Sequence, residues 1–523
     1  MISKKTKKEL LLIISFLIFS IVFVTTVKIL TGSFTYTFGS SDMHIYTAAQ
    51  MKILEPELFE NDVYFSEIFK TYPNTVNYFL AFLINLFGNM NMAYIFVNYL
   101  LFIIFWLGNY QLAKYIFRSK TTGIIFALLS AFGTKALFGT YWGIILGQVS
   151  TRDFVTAFVP LLLYYYLKYY KDKKKIMLLF FVIGVLTNLH FITAAVFVAI
   201  LMLTEIIHEK KICVKNLIIQ SSSYLLGASP FIIKGLMISK LMIPIEILHF
   251  RIGYQYFISI TKVFFLFLIP TIFAFFGFSL KLKNQTTKDI IILEFFVSSI
   301  LFSIIIYFIS ALSSFIAPLQ LTRATKFIFV FLLLYMSYFI NKLINMRENK
   351  IKVLGGIITL LLLIPSSYVF LTIFSSSNEL IILDFRTNEI IQETQSNQEM
   401  YYEYSFESIK ETSEWISKNT KKNQVIITNP QISTLFRVYA KRPIKISWKD
   451  GGNLILTRSN QSKRWYSELI KWNNLYKIGG ETTYNYASNN ADIFICENNK
   501  IFENKVPNFR NQDFSVYIFS KDS

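Results

Sequence analysis

The chain is poor in the residues on which small secreted and metal-bound domains depend. Only Cys213 and Cys496 occur in 523 residues, one in each part of the chain, which excludes a disulfide framework and a cysteine metal site. Acidic residues are also scarce, 32 against 52 Lys and Arg, a balance that taken alone would suggest nucleic acid. Its distribution removes that reading. Residues 1–377 hold 33 Lys and Arg against 15 Asp and Glu, and residues 378–523 hold 19 against 17; the first excess lies in short loops between apolar runs, where membrane topology accounts for it. No phosphate loop, H-E-x-x-H or G-x-S-x-G pattern appears in the polar C-terminal part, so no familiar nucleophile or metal helix is signalled there. The paired, Gly/Pro-broken helices of a transporter's midplane site are missing too.

What is abundant is apolar surface. Hydrophobic residues make up 54% of the chain, with 53 Phe and 31 Tyr, and the mean hydropathy is +0.46, as expected of a polytopic α-helical membrane protein. A run to about Leu30 follows the basic start MISKKTKKEL. It is near the roughly 20 residues that span a bilayer and no small-x-small cleavage pattern follows, so it reads as a span rather than a signal peptide. Further runs at about 91–112, 121–138, 154–168, 176–188, 191–207, 216–235, 257–280, 288–312, 324–341 and 351–374 bring the expectation to about eleven transmembrane helices. The stretch 75–87 is short and reads as an interfacial or re-entrant helix. If it does not cross, the basic clusters at 4–8, 114–120, 171–175, 210–215, 281–288 and 342–352 all fall on one side. The positive-inside rule then puts the N-terminus in and the C-terminus out.

The loops left outside are 31–73, 139–153, 188–190, 236–256 and 313–323, and they hold the suggestive polar residues. The first carries Asp42, His44, Glu55, Glu57, Glu60, Asp62 and Glu67; the others carry Arg152 and Asp153, His190, Arg251, and Arg323. Ionisable groups this close to a bilayer tend to mark function. After Phe374 the composition turns polar, giving a membrane domain 1–375, a linker 376–400 and a soluble domain 401–523. Helices are expected at 406–419, 433–440 and 462–475, with strands at 424–429, 443–448, 491–496 and 514–519, a pattern that favours a small α/β layer.

One inward N-terminus, a long outer loop with an acid directly after the first span, a polytopic bundle and an outward α/β tail together resemble the GT-C integral-membrane glycosyltransferases. The matching positions are Asp42 in SSDMHIY, ELFENDVYF with Asp62, the RDF of Arg152 and Asp153, and NLHF with His190; the WISKN…QVIITNP and FRVYAKRPIKISWKDGG stretches look like the tails of bacterial members. The resemblance implies transfer of a sugar from a polyprenyl-phosphate donor to a cell-envelope glycan, lipid or protein acceptor, on the outer face of a bacterial cytoplasmic membrane. Membrane lipids are the other implied partners. Some branches of the family carry a second first-loop acid where this chain has His44, so a divalent metal, Mg or Mn, stays an open expectation.

Each position also has a plainer reading. Asp42 is either the general base or a helix N-cap. His44 is a supporting residue or an interfacial side chain. Asp62 and Asp153 are alternative bases, or a turn residue and half of a local ion pair. Arg152, His190, Arg251 and Arg323 would bind the donor phosphate, against readings as an ion pair, a satisfied buried histidine and snorkelling arginines. A different class of function is a catalytically silent relative that binds lipid-linked glycan or assists envelope assembly.

Overall fold

The computed structural model describes residues 4–30, 41–71, 75–131, 134–137, 140–147, 149–236, 242–252, 260–346, 405–500, 502 and 505–519. The expected span 351–374 and the linker 376–400 lie outside them.

The apolar runs form helices because, in lipid, only intrasegment hydrogen bonds satisfy the backbone. In order they are α1 (Lys4–Leu30), α2 (Ser41–Leu54), α3 (Val63–Thr71), α4 (Thr75–Phe87), α5 (Met90–Phe117), α6 (Lys120–Ser130), α7 (Thr151–Thr156), α8 (Val159–Tyr169), α9 (Lys173–Thr187), α10 (Phe191–Glu209), α11 (Val214–Gly227), α12 (Ser229–Leu236), α13 (Ile245–Ile252), α14 (Ile260–Lys281), α15 (Thr287–Leu312) and α16 (Ile328–Ile344). Among the described residues, five segments are long and apolar enough to cross a membrane by length and composition: Glu9–Thr26, Met90–Phe117, Phe191–Glu209, Thr287–Ser310 and Ala317–Ile344. Three expected spans are not single helices: in 121–138 α6 ends at Ser130 and Thr134–Lys135 form a strand, 154–168 is broken between α7 and α8, and 216–235 is broken between α11 and α12. At 13 residues α4 is about 20 Å long, short of a roughly 30 Å hydrocarbon core.

Large apolar side chains stand exposed along α1 (Leu11, Ile14, Ile18, Val22), α14 (Phe275, Phe276) and α15 (Ile304, Ile305, Phe308), as a lipid-facing surface requires. Inside, backbones approach closely. A Cβ on Gly184 of α9 would overlap the Tyr224 carbonyl of α11, and one on Gly227 would overlap the Phe181 carbonyl; small residues at a helix crossing permit this packing. The Asn188 amide seals the crossing by donating to Gly227 O at 3.1 Å.

The two ends of the bundle differ. At one, Glu9 bridges Lys114 and Lys120 at 2.6 Å each, Lys288 reaches Tyr115 O at 3.2 Å, and Asn341 reaches Ser119 at 3.4 Å. Basic clusters far apart in sequence thus gather there. At the other end stand α2, α3, α7, α13 and the hairpin β1–β2 (Thr134–Lys135, Tyr141–Trp142), with the C-terminal part packed on α2, α3 and α13.

That part comprises α17 (Phe406–Asn419), β3 (Ile426–Ile427), α18 (Ser433–Ala440), α19 (Asp450–Leu456), α20 (Gln461–Ile478), α21 (Gly480–Asn490), β4 (Ile493–Glu497), β5 (Phe509–Arg510) and β6 (Phe514–Ile518). Its sheet runs β3-β4-β6-β5, with β3 parallel to β4 and the other pairs antiparallel. The expected strand 443–448 reduces to a single bridge, Ile426 with Ile444. Residues Ile493 to Glu497 are buried on both faces. The indoles of Trp465 and Trp472 donate to Ser447 O and Thr428 O at 2.7 Å each. Tyr64 and Ile68 of α3 and Ile247, Leu248 and Phe250 of α13 pack into the same core as Trp448, Leu454 and Trp465. The membrane part therefore completes the core of the tail.

Candidate functional site

The acid-rich first loop is where the sequence points, and most of its carboxylates are engaged in docking. Asp62 is completely buried. It receives Arg437 Nε at 2.8 Å and Nη2 at 3.2 Å, the Ile444 amide at 3.0 Å and the Phe65 amide at 3.0 Å. Arg437 is equally buried and reaches Asp450 with Nη1 at 2.9 Å and Nη2 at 2.7 Å, so one guanidinium binds two carboxylates. Burial pushes the Asp450 carboxyl up, and Arg437 offsets this only in part. Glu55 pairs with Lys422 and Lys441 at 3.2 Å each, and Glu57 with Lys422 at 3.1 Å. These pairs remain largely exposed to solvent. Glu67 accepts from Ser459 at 2.8 Å, and Tyr64 donates to Glu468 at 2.8 Å. Burial raises the Glu55 carboxyl, yet the two lysine ammoniums together bring it below the usual range.

His44 also faces the tail: it is buried, with Nδ1 3.3 Å from Thr434 Oγ1 on α18. Arg251 donates from Nε to Trp448 O at 3.2 Å and lies over that indole at 5.0 Å. Asp62, His44 and Arg251, expected at the reacting centre, thus stand where the bundle meets the tail.

The other expected residues come together. The turn before α7 is fixed by Ser150 and Asp153 in a reciprocal capping box. The Asp153 carboxylate accepts the Ser150 amide and hydroxyl and the Tyr141 hydroxyl, each at 2.9 Å. Arg152 folds back over the Tyr141 ring at 4.2 Å and donates to its hydroxyl at 3.1 Å. Burial lifts the Asp153 carboxyl above the usual range despite Arg152 and these donors.

His190 caps α10, its Nδ1 accepting the Thr193 amide at 3.2 Å. This fixes the neutral tautomer with the proton on Nε2. Burial, and then the charges of Lys326, Arg323 and Arg152, hold its pKa well below the usual range.

Lys326 carries no sequence signal of its own, because it opens what reads as an apolar span. It is 3% exposed and bonds Thr193 at 2.9 Å and Thr156 at 3.4 Å. Arg323 and Lys326 lie on the 3₁₀ helix Leu321–Phe327, where residues i and i+3 eclipse. The R-x-x-K spacing would have exposed the pair had that geometry been foreseen. The Nε of Arg323 is buried without a hydrogen-bond partner. Three cations and a histidine converge here around one carboxylate, an arrangement suited to a multiply charged anion.

Asp42 is the second residue of α2. Further along this helix Tyr46 bonds Thr151 beside Arg152 at 3.3 Å, which brings α2 up to the cationic cluster. Among the described residues no three His, Cys, Asp or Glu side chains form a group that could hold a metal ion. At Asp153 the neighbouring Arg152 and Lys326 oppose a divalent cation, so the described donor set does not fit one.

Comparison with solved structures bears on the fold. The archaeal oligosaccharyltransferase AglB from Archaeoglobus fulgidus, in complex with an inhibitory peptide and a dolichol-phosphate, superposes with a TM-score of 0.51 at 10% identity, covering 93% of this chain and 69% of that one. The apo form of the Archaeoglobus fulgidus oligosaccharyltransferase gives 0.52 at 11% identity with the same coverage. The chain has a GT-C-like membrane fold. Within it, residues 407–469 match the model of a domain of unknown function, DUF6798, a stretch that includes Arg437 and Asp450. No curated protein matches the chain significantly.

Proposed function

We propose that this GT-C-like protein is a glycosyltransferase that moves a sugar from a polyprenyl-phosphate donor to an envelope acceptor on the extracytoplasmic side of the membrane. The observation that carries the proposal is the buried, unpartnered Nε of Arg323 beside Arg152, Lys326 and neutral His190, because buried cations in excess require an anion. The neighbour bound to a dolichol-phosphate supports a lipid phosphate as that anion.

In this reading the acceptor attacks the anomeric carbon, the bond from that carbon to the phosphate oxygen breaks, and the departing polyprenyl phosphate keeps the electron pair. Arg152, Arg323 and Lys326 stabilise that negative charge, and His190 Nε2–H adds a neutral donor. The base that takes the acceptor proton is assigned to position 42. Asp62 becomes a strut and Asp153 the residue that orients Tyr141 and Arg152.

The test is transfer from a radiolabelled polyprenyl-phosphate sugar by purified protein. Arg323→Ala should weaken donor binding by about 10- to 150-fold, the loss of hydrogen bonding to a charged group. Asp42→Asn should spare donor binding and lower transfer by about 10²–10⁴-fold. A wild-type protein that retains donor without turnover would instead be a binder of lipid-linked glycan. Unchanged binding in Arg323→Ala would remove the phosphate assignment altogether.

A further inference from the structure

A polar cavity lies at the end of the bundle opposite the cationic cluster. It has a volume of about 460 Å³ and opens between the end of α8, the starts of α9 and α11, the end of α10 and the start of α15. Glu205, its nearest lining residue on α10, lies about 22 Å along that helix from the His190 cap, so the cavity is distinct from the cationic cluster. Cavities of this size take small ligands.

Its inner wall offers acceptors. Gln220 is 5% exposed and donates from Nε2 to the Glu205 carboxylate, which fixes the orientation of the amide. The Gln220 Oε1 is left buried without a partner. Glu205 also receives Asn216 at 3.5 Å. Glu209, one turn beyond Glu205 on the same face, forms no ion pair among the described residues. Tyr166 and Tyr170 add aromatic faces. Glu294 is already held by His208 at 2.8 Å, and the carboxylates do not form a group that could ligate a metal ion.

The rim, where Glu209 is exposed, also carries the opposite charge. Lys171 and Lys173 line it and neither pairs with a carboxylate among the described residues, whereas Lys175 is bound to Asp172 at 3.0 Å. One wall is apolar: Ile219 of α11 lines the cavity, and Val214 and Ile218 of the same helix and Ile212 just before it are exposed.

We infer that this cavity binds a phosphate–ammonium zwitterion, the phosphoethanolamine group of an aminophospholipid. A primary ammonium has three donors; the Glu205 and Glu209 carboxylates supply the acceptors, and Gln220 holds Glu205 in place from behind. The phosphate two carbons away meets Lys171 and Lys173, and the acyl chains follow the apolar side of α11. The site does not depend on the transferase reading.

The experiment is calorimetric titration of the full chain in detergent with four short-chain or soluble probes: dihexanoyl phosphatidylethanolamine, the choline and glycerol analogues, and free phosphoethanolamine. The ethanolamine lipid should bind. The choline analogue, which has no N–H, and the glycerol analogue, which has no cation, should bind at least tenfold more weakly. Binding of free phosphoethanolamine as tight as that of the lipid would identify a soluble ligand with the same chemistry; weaker binding would identify the lipid. Gln220→Leu and the rim variant Glu209→Gln should each reduce affinity about tenfold or more, with the thermal transition of Glu209→Gln matching wild type as the folding control. Equal affinity for the glycerol and ethanolamine lipids, or an unchanged affinity in Glu209→Gln, would overturn the assignment.

Discussion

Replacing Arg437 by Met tests how the tail is held. The guanidinium makes four hydrogen bonds to Asp62 and Asp450, with all three side chains completely buried. Removing it leaves two carboxylates side by side away from water. Breaking a buried pair in this way costs about 3–5 kcal/mol, and one of the acids would have to take up a proton. For a folding unit of about 100 residues this lowers the transition by roughly 15–25 °C. Four of the six tryptophans, Trp415, Trp448, Trp465 and Trp472, lie in the tail, so fluorescence-monitored heating reports that unit. A second variant separates charge from packing. Asp62→Asn with Arg437→Met and Asp450→Leu removes all three charges while keeping an acceptor for one of the Phe65 and Ile444 amides, and should regain at least half of the loss. An unchanged transition in Arg437→Met, or a triple variant no more stable than the single one, would refute the strut.

Three further outcomes follow from the fold. Because the Glu55 carboxyl lies below its usual range in the folded chain, its pairing with Lys422 and Lys441 stabilises docking fully above the ordinary carboxylate pKa of about 4.3 and is lost as pH falls through the lowered folded value. Tail-release proteolysis should therefore rise on acidification, and Glu55→Gln should flatten that limb. Gly184→Leu should destabilise the bundle by at least the roughly 1–3 kcal/mol typical of overpacking, read as a lower transition in detergent, since the Tyr224 carbonyl occupies the space a side chain needs. Reporter fusions after Lys175 and after Ser377 should give opposite signals, and equal signals would overturn the positive-inside argument and the sidedness of the cationic cluster that rests on it.

How the chain divides between sequence and tertiary structure can be read from particular residues. Membrane class, the helical bundle and most elements of the tail are legible because they rest on local patterns: long apolar runs, the period of 406–419, and the alternation of apolar strands with helices. Arg152, Asp153, His190 and Arg323 were legible as polar residues at span ends. That they converge was not, since it depends on how α7, α10 and the 3₁₀ turn at 321–327 pack. Lys326 escaped notice because its ammonium sits within an apolar window, and hydropathy averages a single charge away. The first loop misled for the opposite reason. A dense run of carboxylates looks the same whether it meets substrate or a partner surface, and Arg437, 375 residues from Asp62, decides the matter only once both are buried in one core. Charge and periodicity are properties of neighbours along the chain. Which buried charge finds which partner is a property of packing, and only the folded chain determines it.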